Sequence, residues 1–227
     1  MGTNSTDGTE SYRYERKFIV SQQLESHIES VLTHSRLGFR KLYDKRVVNN
    51  IYLDTPMFRF YNENVMGVSD RKKIRIRWYG DATVDGDCQL EIKRKDGMVG
   101  RKEIYHVFLK PSDLRKNNII RQLDLPDRVK IEAQDIYPTL YNRYTRRYFI
   151  SSDSKFRITI DSDVKYSHPN TLYYNHCFLG VSETNHILEL KYDCKNDITA
   201  SQAADIIPFS LAKKSKYVSG IESIYIF

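Results

Sequence analysis

Side chains alternate across a β-strand, so a run with every second residue apolar predicts a strand with two unlike faces. Lys73-Ile74-Arg75-Ile76-Arg77-Trp78 is such a run, with Lys, Arg and Arg on one face and Ile, Ile and Trp on the other. Glu91, Lys93 and Lys95 oppose Leu90 and Ile92, and Arg157, Thr159 and Asp161 oppose Phe156, Ile158 and Ile160. Glu189, Lys191 and Asp193 oppose Leu188, Leu190 and Tyr192. In the first strand Arg13, Glu15 and Lys17 oppose Tyr14, Phe18 and Val20, with Arg16 as the exception. The polar faces carry charge where β-surfaces more often carry Thr or Ser.

The same pattern predicts strands over Tyr12–Val20, Val47–Leu53, Arg71–Tyr79, Cys88–Lys95, Arg101–Phe108, Thr139–Ile150, Phe156–Asp161, Leu172–Phe178 and His186–Tyr192. Leu24, Ile28, Val31 and Leu32 recur at helical spacing behind Ser21, an expected N-cap. Short helices are expected at Met57–Glu63, Pro111–Asn117, Asp127–Ile136 and Thr199–Ile207, with Lys216–Ile224 a closing helix or strand. Asp85-Gly86 and Asp96-Gly97 supply turns between strands, and such short connections imply antiparallel neighbours. Strands broken by a few helices predict an α+β fold built on a large antiparallel sheet.

Composition narrows the class. At 227 residues the chain fits one domain, with residues 1–11 expected as a disordered lead-in and 12–227 as the folded unit. Lys and Arg total 36 against 29 Asp and Glu, a net charge of +7, so the expected partners are anions. No run of about 18 apolar residues is present, and the opening segment lacks the basic-then-apolar pattern of a signal peptide. Cys88, Cys177 and Cys194 are too widely spaced for a CxxC site or a disulfide framework, so a reducing cytoplasm is the expected location. No P-loop, kinase signature, GxSxG or HExxH occurs, and the six His are scattered without ligand spacing.

Two arrangements suit the charged faces. One is a sheet with a wet face and an apolar face covered by helices. The other is an antiparallel β-barrel whose charged faces line a tunnel, with helices packed outside. Arg75 and Arg77 lie about 6.6 Å apart on one strand, with neighbouring strands about 4.8 Å away. Such a lattice of like charge is repulsive unless an anion bridges it, which favours the tunnel. Arginine is the preferred fork for phosphate. Glu residues in the array offer hard oxygen ligands for Mg²⁺ or Mn²⁺. A nucleic-acid groove would interleave exposed aromatics and gain nothing from Glu, so no nucleic-acid partner is expected.

Tyr14-Glu15-Arg16-Lys17-Phe18, Lys73–Gly80, Glu91-Ile92-Lys93 and Gly100-Arg101-Lys102 together resemble the VTC domain, the polyphosphate polymerase domain within the triphosphate tunnel superfamily. Tyr141-Asn142-Arg143, Phe156–Asp161, Leu188-Glu189-Leu190-Lys191 and Ser215-Lys216-Tyr217 continue the resemblance in order, from about Tyr12 to Phe227. The resemblance implies a metal-dependent transfer of the γ-phosphate of ATP onto inorganic polyphosphate. It implies phosphate ligands Lys17, Arg75, Arg77, Lys93, Lys102, Arg143, Arg157, Ser215 and Lys216, of which Arg75, Arg77, Lys93, Arg157 and Lys216 would act in catalysis. Glu189 would hold Mn²⁺ or Mg²⁺, with Glu15 and Glu91 lining the same surface. Arg13 stands where the superfamily's Glu-x-Glu-x-Lys signature has its first Glu, which counts against a two-metal hydrolytic site. Triphosphate hydrolysis in the same tunnel and a non-catalytic polyphosphate-binding module are the rival expectations. Any membrane element would come from a separate partner.

Overall fold

The computed structural model describes residues 13–81, 85–97, 99–110, 113, 119–173, 180–197, 207 and 209–225. The strands are β1 (Arg13–Ser21), β2 (Arg40–Asp54), β3 (Arg71–Tyr79), β4 (Gly86–Asp96) and β5 (Val99–Leu109) in the first half. The second half adds β6 (Tyr137–Ile150), β7 (Phe156–Ser167), β8 (Val181–Ser182), β9 (Asn185–Asp193) and β10 (Ser210–Leu211). Helices α1 (Glu25–His34), α2 (Arg59–Val65), α3 (Ile119–Gln122), α4 (Asp127–Glu132) and α5 (Lys216–Ile224) interrupt them. All strands join one antiparallel sheet in the order β10-β1-β9-β7-β6-β2-β3-β4-β5, with β8 on β7.

A flat sheet in this order would hold β1 and β4 about 29 Å apart. Instead, Lys93 Nζ on β4 lies 3.8 Å from Glu15 Oε2 on β1, so the sheet curls until its two flanks meet. The charged faces lie inside the curl and the apolar faces outside. Ile74, Ile76, Trp78, Leu90 and Ile92 are buried with Ile119 and Ile120 of α3 and Val129 of α4. Phe18, Ile158, Ile160, Leu188 and Leu190 are buried with Ile28 and Leu32 of α1. Each such side chain contributes roughly 1.5–3 kcal/mol on burial. The hydrophobic alternation therefore sets which way the sheet bends.

Two expectations of the barrel need correction. The expected antiparallel β-barrel is not closed: β5 pairs with β4 and β10 with β1, and among the described residues no ladder joins these two edges. Side chains, not backbone bonds, span the gap. The helices are also not all outside, because α5 packs against the concave face at one end. Tyr217 stacks on Tyr52 with ring centres 4.9 Å apart, and its hydroxyl donates to the buried Asp54 carboxylate. The same carboxylate accepts from Thr55 N at 2.7 Å and from Phe60 N and Tyr61 N at 2.9 Å, tying the end of β2 to α2 and α5 at once.

Local departures have simple causes. β2 begins at Arg40, before the expected Val47, because its polar first half pairs with β6 although it buries little. β7 runs past Asp161 to Ser167 through a register shift, with Asp163 at φ 53°, which resets the alternation in the manner of a bulge. Ser21 makes no side-chain cap. Pro169–Tyr173 forms a 3₁₀ turn where the strand Leu172–Phe178 was expected to begin, and residues 174–178 lie outside the described set. Residues 1–11 lie outside it as well, as do the expected helices Pro111–Asn117 and Thr199–Ile207 apart from Asp113 and Ile207. Among the described residues no helix is long and apolar enough to cross a membrane.

Gly220 shows how closely α5 is seated. A Cβ there would come within 2.5 Å of Leu140 Cδ2 and 2.7 Å of Tyr166 Cδ1. Gly220→Val should therefore cost about 2 kcal/mol through overpacking and lower the melting temperature by about 5 °C. An unchanged thermal denaturation curve would show that α5 does not seat against the sheet.

Candidate functional site

Two carboxylates organise the concave face. Arg75 and Arg77 alternate on β3 with the buried Ile74, Ile76 and Trp78, so both guanidiniums point inward. Arg75 Nε donates to Glu91 Oε2 at 2.6 Å, and its Nη1 to Tyr52 Oη at 3.2 Å. Arg77 donates from Nε to Asn50 Oδ1 at 2.9 Å, from Nη1 to Glu91 Oε1 at 3.4 Å and from Nη2 to Tyr144 Oη at 3.2 Å. Lys102 Nζ on β5 reaches Glu91 Oε1 at 2.6 Å. Burial alone would raise the Glu91 pKa, but Arg75, Arg77 and Lys102 outweigh it and hold the carboxyl at about 2. Glu91 is therefore a permanent anion that aims three cations.

Glu189 on β9 is the second node. It lies in register with Lys17 of β1 and Thr159 of β7. Its carboxylate is 3.2 Å from Lys191 Nζ and 3.6 Å from each of Lys17, Lys216 and Arg146. Burial opposes its ionisation, yet these four cations hold its pKa well below the usual carboxylate range. Arg146 makes a bidentate pair with Asp161, at 2.6 and 2.7 Å, and Lys216 Nζ at the start of α5 lies 2.5 Å from Asp161 Oδ2. Lys17 Nζ also contacts Glu15 Oε1 at 3.1 Å.

Most of the residues expected from the sequence gather here. Arg75, Arg77 and Lys102 gather on Glu91, while Lys17, Lys93, Lys216 and Glu15 gather with Glu189, and Tyr144 links the two sets through Arg77 and Lys216. Ser215 caps α5, accepting from Val218 N at 3.4 Å, and also accepts from Lys73 Nζ at 2.9 Å. Arg157 is exposed at the rim, on the face that carries Thr159 and Asp161 and opposite Lys191 in the ladder. Arg143 is the exception. It sits opposite Asn49 and Lys165, one residue out of phase with Asn142, Tyr144 and Arg146, so it belongs to the convex face.

Arg146, Asp161, Lys191 and Lys73 were not singled out as ligands from the sequence. Alternation with Arg75 could have marked Lys73, and alternation with Glu189 could have marked Lys191. Arg146 could not be chosen over its neighbour Arg147 without the register. Arg147 points the other way, to Glu29 at 3.0 Å and Glu25 at 3.2 Å.

Lys73 senses the excess of cations. Burial first, then the positive charges of Lys17, Lys93, Arg71 and Arg75, push its ammonium from 10.5 down to about 7. Since this value lies below the unfolded one, the group opposes folding fully below pH 7, and its penalty fades as pH rises from 7 toward 10.5. A bound polyanion reverses the surrounding potential. Lysine side-chain NMR should show one resonance titrating near 7, absent in Lys73→Gln, whose midpoint rises by about two pH units with saturating tripolyphosphate. A midpoint unmoved by the anion would place the ligand elsewhere.

The VTC domain family model matches residues 12–225. No protein of curated function matches the sequence at a significant level. A solved structure from Vibrio parahaemolyticus, which carries the provisional name adenylate cyclase, superposes with a TM-score of 0.54 at 13% identity. The match covers 93% of this chain and 99% of that one, and it shows a shared fold. With the family match spanning nearly the whole sequence, the chain belongs to the VTC domain family.

Proposed function

We propose that this chain is a metal-dependent phosphotransferase that moves the γ-phosphate of ATP onto a growing inorganic polyphosphate. The observation that carries the proposal is the convergence of Arg75, Arg77 and Lys102 on Glu91 within a concave face whose other cations outnumber their carboxylates. Membership of the VTC domain family supports this reaction class.

Phosphoryl transfer asks a protein for positioning and charge compensation more than for covalent chemistry. Arg75 and Arg77 are aimed before any ligand arrives, so they do not reorganise during the reaction. Lys93, Lys102, Lys17, Arg157, Ser215 and Lys216 would bind successive phosphate oxygens along the same face. An ionised terminal phosphate is already a nucleophile, so no general base is required.

The carboxylates fit one kind of divalent ion. Among the described residues no three His, Cys, Asp or Glu side chains gather into a metal cage. Glu189 is a buried carboxylate linked to Glu15 through Lys17 and Lys191 and to Asp161 through Arg146 and Lys216. That donor set suits Mg²⁺ or Mn²⁺ taking its remaining ligands from phosphate and water, with Glu189 as the protein ligand. When bound, the ion supplies charge neutralisation at the β- and γ-phosphate oxygens.

The test is ³¹P NMR of purified protein with ATP and Mg²⁺. Wild type should build up the internal-phosphate resonance of long chains, and Glu189→Gln should slow that growth about a hundredfold or more while circular dichroism shows it folded. Release of orthophosphate without chain growth would replace transferase by hydrolase. An unchanged ATP spectrum would reduce the face to a polyanion receptor.

A further inference from the structure

The lining of the concave face changes character at the end away from α5. On β6 its inward residues run Tyr144, Arg146, Tyr148. Tyr144 lies against Lys216 of α5, whose ammonium is 5.0 Å from the ring centre, and Tyr148 is the farthest of the three from it. On β3 the inward run is Arg75, Arg77, Tyr79. On β2 it passes from Tyr52, stacked on α5, through Asn50 and Val48 to Arg46. There the β2–β6 register slips so that Tyr43 pairs with Tyr148 and Arg46 with Arg146, leaving residues 44 and 45 unmatched. A bulge of this kind re-aims side chains, and here it turns Tyr43 and Arg46 to the same side.

The result is an aromatic collar around a guanidinium. The Arg46 centre lies 5.2 Å from the Tyr43 ring, 5.8 Å from Tyr148 and 5.9 Å from Tyr79. Tyr43 meets Tyr148 edge to face at 5.6 Å. Yet Tyr43 is 53% exposed and Tyr79 46%, and Arg46 is exposed between them.

We propose that this collar is the site for the purine ring of the nucleotide whose phosphates occupy the cationic face, an inference that rests on the function proposed above. Tyr79 stands one strand repeat beyond Arg77, and Tyr148 one beyond Arg146, about 6.6 Å in each case. A ribose bridges a gap of that size between phosphate and base. Planar bases stack on tyrosine and on arginine alike, with no demand for a particular hydrogen-bonding edge. The collar thus sets a preference for purine over pyrimidine triphosphates by ring area, with ATP and GTP held about equally. It gives nothing to inorganic tripolyphosphate, which has no ring.

Calorimetric titration of the full chain with ATP, UTP and tripolyphosphate tests this. Wild type should bind ATP more tightly than UTP. A Tyr43→Ala and Tyr79→Ala double variant should weaken ATP about tenfold and leave tripolyphosphate unchanged. Phenylalanine at both positions should restore ATP binding, which excludes a folding defect as the cause. Equal ATP binding by wild type and the alanine variant, with tripolyphosphate still bound, would overturn the collar and leave the phosphate site standing. Wild type that binds neither ATP nor tripolyphosphate would overturn both.

Discussion

A curled sheet with cations on its inner face works against its own stability. Two like charges one strand repeat apart repel by about 2.5 kcal/mol at an effective dielectric constant near 20. The fold contains this repulsion with a few buried carboxylates. Glu91 binds Arg75, Arg77 and Lys102, while Glu189 and Asp161 bind Lys17, Lys191, Arg146 and Lys216. Each carboxylate faces more than one cation, so the compensation stops short of neutrality. Lys73, its pKa pushed down to about 7 by burial and then by its cationic neighbours, registers the remainder.

Buried ion pairs of this sort add little net stability, because desolvation cancels much of the attraction. Their use here is geometric. Glu91 fixes the direction of two guanidiniums without filling the space in front of them, and Asp161 does the same for Arg146 and Lys216. The seating of α5 belongs to the same design. Its first residue delivers Lys216 to Asp161, its cap Ser215 meets Lys73, and Tyr217 locks the helix to Asp54. The outer cores hold the curl, and the inner carboxylates hold the cations in the curl.

Much of this was legible in the chain because alternation in a strand is a strict signal. The runs around Arg75, Glu91, Thr159 and Glu189 separate their charged and apolar faces cleanly, and the structure keeps that separation. Four things were not legible. Closure depends on how far strands curl, and a sequence pattern states only which face is apolar. The choice between Arg143 and Arg146 depends on cross-strand register, since each has polar neighbours and the runs around them are mixed. The amphipathic pattern of α5 fits a helix on either side of the sheet, and only Gly220, small enough to meet Leu140 and Tyr166, hints at a tight inner seat. The exposed first half of β2 had no apolar alternation to reveal it, and with it the slip that gathers Tyr43 and Arg46 stayed hidden.

The central claim is that anions bind to the inner face through side chains aimed by Glu91. Tripolyphosphate titration of wild type, Arg77→Gln and Arg143→Gln measures it most directly, because the two arginines lie on opposite faces of the same sheet. Affinity should fall about tenfold or more in Arg77→Gln and stay unchanged in Arg143→Gln. Equal losses in both variants, or a loss only in Arg143→Gln, would contradict it.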